Sequence, residues 1–338
     1  MMQTSHRMWV EDPSQVGEAR RLAASMGRAA SLDEVRTEHL CIVVNELGNN
    51  LLRHAGGGAL VLRFLPIGEG VEVLSLDNGP GIGDVADSLR NGCSTLGGAG
   101  TGLGAIRRLS NLFDIYSKPG QGTAVLSRVG HLPSPPPPRP PLLDVGAVCL
   151  PVSSEQECGD AWALYQEPDW ALLMVADGLG HGPFAAEAST LAARVFEKHP
   201  EERPAQMIER MHRAMGTTRG AAVAVVKVQR TRHTVTLCGI GNISGRVIAG
   251  DTSWSMVSHY GIVGVGQPRA EEFSGVWPQR DGLLVMHSDG VSTHWSMEEH
   301  PGLQGRSAGL IAGVLFRDHG RPRDDNGVVV LKETRSSR

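Results

Sequence analysis

Apolar positions along the chain change period several times. Residues 14–29, rich in Ala and Arg, read as a helix. A second helix is predicted from Ser31-Leu32-Asp33-Glu34, which has the spacing of a capping box, through His54. Within it Leu40, Val43, Val44, Leu47 and Leu51 recur at helical spacing and should face a core. Val71 to Leu76 reads as a strand and Ala105 to Leu109 as a helix. Phe113–Ser117 and Thr123–Val129 flank Lys118-Pro119-Gly120-Gln121-Gly122 as the two arms of a hairpin. Beyond residue 142 the chain is dominated by short apolar runs of β character, among them Ala161–Tyr165, Trp170–Ala176, Leu283–Ser288 and Gly327–Leu331.

The two patterns are separated by Pro133-Ser134-Pro135-Pro136-Pro137-Pro138-Arg139-Pro140-Pro141. Proline lacks the N–H that helices and sheet ladders require, so this run is expected to be an extended, semi-rigid linker. The expectation is therefore two domains, 1–130 and 142–338, joined by a linker over 131–141. A length of 338 residues fits that count, and 41% hydrophobic residues suffice for two packed cores. A net charge of −4 gives no nucleic-acid signal. Cys41, Cys93, Cys149, Cys158 and Cys238 form no C-x-x-C pair and read as reduced thiols. The chain start has no apolar run behind it, and no stretch has the roughly 18 apolar residues of a membrane span. The expected setting is cytoplasmic, without membrane association.

In the first half, Glu46 and Asn50 are four residues apart on one helical face, with Arg53 and His54 one turn further. A carboxylate, an amide and basic groups on one stripe can hold a metal-bound phosphate. The strand at 71–76 ends in Asp77-Asn78-Gly79-Pro80-Gly81, where a carboxylate can accept from an amino group while glycine backbone approaches closely. Gly97-Gly98-Ala99-Gly100-Thr101-Gly102-Leu103-Gly104 then opens a helix, the arrangement that presents N–H groups to phosphate. In this order the motifs resemble the ATP-binding fold of the GHKL superfamily over about residues 14–130. Within it they are most similar to the small anti-sigma and switch kinases of the RsbW and RsbT kind. The resemblance implies an α/β sandwich with helices over one face of a mixed sheet. It further implies ATP and Mg²⁺ as cofactors, with Asn50 on the Mg²⁺, Glu46 as general base and Asp77 reading the adenine amino group. Gly79 and Gly81 would line the nucleotide, Gly102 and Gly104 would approach its phosphates, and Thr123 would sit near the base.

In the second half, Asp160, Asp177, Asp289 and Asp325 each adjoin an apolar β run, with Asp177-Gly178-Leu179-Gly180-His181-Gly182 and Asp289-Gly290 at strand ends. A single Asp-Gly pair is an ordinary turn. Four carboxylates in this order point instead to hard oxygen ligands converging on Mg²⁺ or Mn²⁺. With Thr218-Arg219-Gly220-Ala221-Ala222 and Gly239-Ile240-Gly241-Asn242, they resemble the SpoIIE and RsbX branch of the PPM-type phosphatases over about residues 142–332. The implied fold is an α–β–β–α sandwich. The implied ligands are Asp160, Asp177, Asp289 and Asp325 with the carbonyl of Gly178, around two ions that activate a water toward a phosphoserine or phosphothreonine. Asp324 is an alternative to Asp325, His181 is either a proton donor or a turn-stabilising residue, and Arg219 is a candidate for holding the substrate phosphate.

Together the resemblances imply a two-domain α/β protein that combines kinase and phosphatase chemistry in a partner-switching pathway. Its expected partners are a STAS-type antagonist protein and, beyond it, a sigma factor or other effector. Two further readings stay open: a phosphatase with an ATP-sensing regulatory domain, and an N-terminal module that only sequesters a partner.

Overall fold

The computed structural model describes residues 5–65, 70–91, 102–131 and 143–334. The chain separates into two compact units, the first running from Ser5 to Pro137 and the second from Pro138 to Arg338. The proline run lies outside the described residues, as do Gly97 to Thr101 of the glycine-rich segment.

The first unit opens with β1 (Ser5–Val10), α1 (Pro13–Ala29) and α2 (Glu34–Asn50). Then come β2 (Gly58–Phe64), β3 (Gly70–Leu76), α3 (Val85–Asn91), α4 (Gly102–Leu109), β4 (Leu112–Ser117) and β5 (Thr123–Gly130). The five strands lie in the order β1-β2-β3-β5-β4, and every neighbouring pair is antiparallel. The expected mixed sheet is thus corrected. β3 and β4 run the same way, but β5 lies between them, so no parallel ladder forms. Leu40, Val43, Val44 and Leu47 of α2 pack with Ala19 and Ala23 of α1 on Leu60, Leu62, Val71 and Val73. The helical periodicity read from the sequence is therefore the core face.

Two local features depart from expectation. The cap of α2 is Asp33, which accepts from the Arg36 amide, while Ser31 takes a left-handed φ of 59°. The capping box occurs instead at Asp12 and Gln15, ahead of α1. The helix also does not continue as an α-helix through His54. After Asn50 it widens into a π turn, Leu51–Ala55, closed by Gly56 at φ 74°. A π turn shifts the angular phase of the residues within it, so regular α-helical spacing does not carry on through Arg53 and His54.

The second unit carries β6 (Leu143–Leu150), β7 (Asp160–Gln166), β8 (Trp170–Gly178), α5 (Pro183–Lys198), α6 (Pro204–Ala214), β9 (Ala221–Gln229) and β10 (Thr234–Ile240). It continues with β11 (Ser244–Ala249), β12 (Thr252–Ser255), β13 (Phe273–Val276), β14 (Leu283–His287), α7 (Ala308–His319) and β15 (Asn326–Glu333). Two five-stranded antiparallel sheets result, β13-β10-β9-β8-β7 and β12-β11-β14-β15-β6. Trp162, Leu173, Val175, Val226, Met286, Val329 and Leu331 fill the space between them. Outside the first sheet, Phe196 of α5 and Met207 and Met211 of α6 pack on Leu172, Met174 and Val225. α7 lies along β6 and β15 on the other side. A Cβ on Gly146 would fall 2.1 Å from the Gly309 nitrogen, so this strand–helix approach requires glycine. The α–β–β–α sandwich implied by the carboxylate motifs is the observed architecture.

Candidate functional site

In the first unit, Glu46 and Asn50 stand one turn apart on α2, both half-buried. The first residue of α4 meets them: a Cβ on Gly102 would fall 3.1 Å from Glu46 Oε2 and 3.5 Å from Asn50 Oδ1. Gly104 lies one short step along, where the tip of Arg108 comes within 3.3 Å of its would-be Cβ. Asp77 leaves β3 with its Oδ1 accepting from the amides of Gly79 (2.9 Å) and Thr123 (3.1 Å), while its own amide donates to the Thr123 carbonyl at 3.0 Å. The carboxylate is thereby locked between the strand end and the β4–β5 hairpin. Gly79 backs onto Ala55 of the π turn, where a Cβ would come within 2.7 Å of the Ala55 Cα. Gly81, at φ 72°, leaves no room for a side chain against the Lys118 carbonyl. Sequence reading missed Ser117. Its hydroxyl accepts from the Ile82 amide at 2.8 Å and lies 2.8 Å from Thr123 Oγ1, tying the Asp77 loop to the hairpin. A serine inside a hairpin arm gives no signal by itself.

In the second unit the carboxylates gather where the two sheets meet. Asp160 and Asp177 are register partners on β7 and β8. Asp177 is the penultimate residue of β8, and the last, Gly178, donates its amide to the Gly159 carbonyl at 3.0 Å. From the other sheet come Ser288 and Asp289 after β14, and Asp324 and Asp325 before β15. Ser288 Oγ donates to Asp160 Oδ2 at 2.6 Å and accepts from the Gly327 amide at 3.0 Å. Asn242, at the end of β10, donates from its amide nitrogen to Asp289 Oδ2 at 2.7 Å. Gly290 is packed so tightly on the Asp325 carbonyl that a Cβ would fall 1.7 Å from it.

This crowding raises carboxyl pKa values. Burial, with the neighbouring Asp325, Asp324 and Asp289 charges adding to it, pushes Asp160 up to about 8. Burial, then the charges of Asp160, Asp289 and Asp324, pushes Asp177 up to about 9. Asp160 is 3% exposed, and its Oδ1 is buried without a hydrogen-bond partner among the protein atoms. Several carboxylates of which one carries an orphaned oxygen form a site short of positive charge. Hard divalent ions fit that donor set.

Asp324 and Asp325, the two candidates for the fourth ligand, sit in different surroundings. Asp325 is buried, and its two oxygens accept from the amides of Val152 (2.7 Å) and Gly159 (2.8 Å). It is a backbone clamp that fixes the residue preceding Asp160. Asp324 is partly open, and it is raised by burial and by the Asp289 charge, which places it among the converging group. Two adjacent aspartates cannot be told apart by spacing. Their hydrogen-bond partners, far away in the chain, set them apart.

His181 Nδ1 is paired with Glu155 Oε1 at 2.9 Å, and Gly182 beside it has a φ of 74°. Arg219 reaches the same loop: its Nη1 lies 3.4 Å from where a Gly180 Cβ would be, and its guanidinium caps the Phe184 ring at 4.8 Å. Sequence reading missed the roles of Ser288 and Asn242. Asn242 was visible within Gly239-Ile240-Gly241-Asn242, but nothing in that motif ties it to Asp289.

Residues 10–128 match the family profile of the histidine kinase-like ATPase domain, and residues 168–331 match that of Stage II sporulation protein E (SpoIIE). The serine/threonine-protein kinase RsbT of Bacillus subtilis (strain 168) is 29% identical over 109 residues, 32% of this chain and 82% of RsbT. The phosphoserine phosphatase RsbX of the same organism is 28% identical over 137 residues, 40% of this chain and 68% of RsbX. A solved structure described as "The bacterial stressosome: a modular system that has been adapted to control secondary messenger signaling" is 27% identical. It superposes with a TM-score of 0.53 over 56% of this chain and 98% of its own. One chain thus joins a kinase-like ATPase domain to a phosphatase domain of the SpoIIE, PPM type.

Proposed function

We propose that this fusion of a histidine kinase-like ATPase domain with a SpoIIE-type phosphatase domain is a bifunctional protein of a cytoplasmic partner-switching pathway. Its first domain phosphorylates, and its second dephosphorylates, serine or threonine on a STAS-type antagonist protein, which in turn governs a sigma factor or other effector. The observation that carries the reading is the meeting of Asp160, Asp177, Asp289 and Asp324 at one junction of two sheets, with Asp160 and Asp177 raised far above the ordinary carboxylate range.

In the phosphatase domain, Asp160, Asp177, Asp289 and Asp324 with the Gly178 carbonyl would hold Mg²⁺ or Mn²⁺. When bound, the ions supply Lewis-acid polarisation of the phosphoryl oxygens and lower the pKa of a bound water. The chain's own contribution is placement. Ser288 and Asp325 fix Asp160 from two directions, Asn242 orients Asp289, and Arg219 stands beside the Asp177–Gly182 loop as a cation for the substrate phosphate.

In the ATPase domain, Asn50 would carry the Mg²⁺ of ATP and Asp77 would accept from the adenine amino group, its orientation set by the Gly79 and Thr123 amides. Gly79 and Gly81 would line the nucleotide, with Thr123 beside the base. Gly102 and Gly104 would let the start of α4 approach the phosphates. Glu46, touching Gly102, would accept the proton of the attacking serine hydroxyl, which is a poor nucleophile until that proton is taken. RsbT and RsbX, a kinase and a phosphoserine phosphatase by name, support assigning opposed activities to the two halves.

The phosphatase half of the proposal is tested with the full chain and a phosphoserine-bearing STAS protein. Hydrolysis should require added Mg²⁺ or Mn²⁺, stop with EDTA and be lost in Asp177→Asn with an unchanged circular dichroism spectrum. Hydrolysis that continues at full rate in EDTA contradicts it.

A further inference from the structure

Away from the carboxylate junction, a second group of metal-ligating side chains converges. His300 follows a short 3₁₀ turn at Met297–Glu299, and His319 is the last residue of α7. Their Nε2 atoms face each other at 3.3 Å, and Glu299 brings a carboxylate oxygen within 4.8 Å of both. We propose that Glu299, His300 and His319 form a separate site for a borderline transition ion, Zn²⁺ above all. We further propose that an ion bound there clamps the end of α7 to the loop that leaves Asp289.

The geometry fits zinc. Ligand nitrogens about 2.0–2.1 Å from a tetrahedral Zn²⁺ stand about 3.3–3.4 Å from one another. The two imidazoles have that separation, and their planes stand at 87° in a T-shaped arrangement. The other nitrogen of His300, Nδ1, faces Asp318 Oδ2 at 3.7 Å, and Asp318 is held by the Arg317 guanidinium at 2.6 and 2.9 Å. At 3.7 Å the carboxylate makes no direct hydrogen bond, but its charge favours the proton on Nδ1 and leaves Nε2 as the donor. His300 is 5% exposed, so its ring is fixed in place by its surroundings. Glu299 is exposed and His319 half-buried, so the site has an open side for entry and for a water in the fourth position.

Ligand chemistry separates this site from the first. Imidazole nitrogen suits Zn²⁺, Cu²⁺ or Ni²⁺, whereas an all-oxygen set suits Mg²⁺ or Mn²⁺. Both can therefore be filled at once. The backbone couples them. The Ser292 amide donates to the His319 carbonyl at 2.9 Å, Val291 bridges to Gly320, and the Arg321 amide donates to the Gly290 carbonyl at 2.7 Å. Residues 290–292, directly after Asp289, are thus laced to residues 319–321, which begin at the histidine ligand.

The test uses the full chain with Mg²⁺ in large excess to occupy the carboxylates, and Co²⁺ as the spectroscopic probe for Zn²⁺. Wild type should bind one equivalent of Co²⁺ with the intense visible bands of a tetrahedral site, and Zn²⁺ should displace it. His319→Ala should lose the bands while keeping its circular dichroism spectrum. Asp318→Asn should weaken Zn²⁺ binding about ten-fold, as loss of a supporting carboxylate does at other histidine sites. Asp177→Asn should keep the bands. Zn²⁺ should raise the melting temperature of wild type but not of His319→Ala. Absence of tetrahedral bands in wild type, or their persistence in both His319→Ala and His300→Gln, overturns the proposal. Loss of the bands in Asp177→Asn would place the ion at the carboxylates and overturn it as well.

Discussion

Ser288 Oγ donates to Asp160 Oδ2 at 2.6 Å, joining the residue after one sheet's central strand to the first residue of the other sheet's edge strand. The same hydroxyl accepts from the Gly327 amide, so a single buried side chain satisfies two groups and holds the two sheets at one spacing where the carboxylates meet. Replacing Ser288 with Ala leaves both partners unpaired. The expected cost is about 1–3 kcal/mol, which in a domain of this size lowers the melting temperature by roughly 3–10 °C. Thermal unfolding followed by circular dichroism measures it. A Ser288→Ala protein that melts with wild type would show that this bond contributes nothing.

Asp324 and Asp325 should separate cleanly on mutation. Asp324→Asn removes a carboxylate from the converging group, so metal-dependent hydrolysis should fall by about 100-fold or more with little change in melting temperature, because an uncompensated ion charge binds poorly. Asp325→Ala instead strips the acceptors from the Val152 and Gly159 amides and should destabilise the fold by about 1–3 kcal/mol. Metal titration and thermal melts on both variants distinguish the roles. The reverse pattern would return the ligand role to Asp325.

The raised carboxyls predict an inverted pH response. Asp160 and Asp177, at about 8 and about 9 in the fold against an ordinary 3.8, hold protons in the native protein that the unfolded chain has already lost. Their contribution to stability is present below pH about 4 and is lost as pH rises through 8 to 9. Metal-free protein should therefore lose stability across this window. Added Mg²⁺ or Mn²⁺ displaces the protons, so its stabilising effect should grow with pH over the same range. Melting temperatures from pH 5 to pH 9, with and without metal, check this. A metal effect that is flat in pH would contradict it.

At the nucleotide site, Asp77→Asn retains an oxygen for the Gly79 and Thr123 amides but loses the charged acceptor. Affinity for ATP should fall by roughly 10–100-fold, the value of a hydrogen bond to a charged group, with the fold intact. Gly102→Ala should also weaken ATP binding, since the added methyl presses on Glu46 and Asn50. Calorimetric titration of both variants measures the effect. Undiminished affinity in Asp77→Asn would remove Asp77 from adenine recognition.

Much of this architecture was legible in the sequence because its signals are local. The 3.6-residue recurrence of Leu40, Val43, Val44 and Leu47 marks the core face of α2, and Asp-Gly pairs at the ends of apolar runs mark where the sheets deliver carboxylates. The illegible parts depend on contacts distant in the chain. The different surroundings of Asp324 and Asp325 are set by the amides of Val152 and Gly159, more than 160 residues away. Asn242 has its role through Asp289, 47 residues on. The π turn after Asn50 has no periodicity signature, so helical spacing alone carries a regular α-helix on through His54. His300 and His319 meet only because α7 folds back beside the loop after Asp289.

The central claim is that one chain adds and removes the same phosphate. It is tested most directly by the steady-state phosphorylation of a STAS-type partner incubated with ATP, Mg²⁺ and wild-type, Glu46→Ala or Asp177→Asn protein. The account predicts opposite shifts: Glu46→Ala leaves the partner unphosphorylated, and Asp177→Asn drives it to full phosphorylation. If Glu46→Ala and wild type give the same phosphorylation level at every ATP:ADP ratio while Asp177→Asn alone changes it, the first domain is not the opposing kinase and the account is wrong.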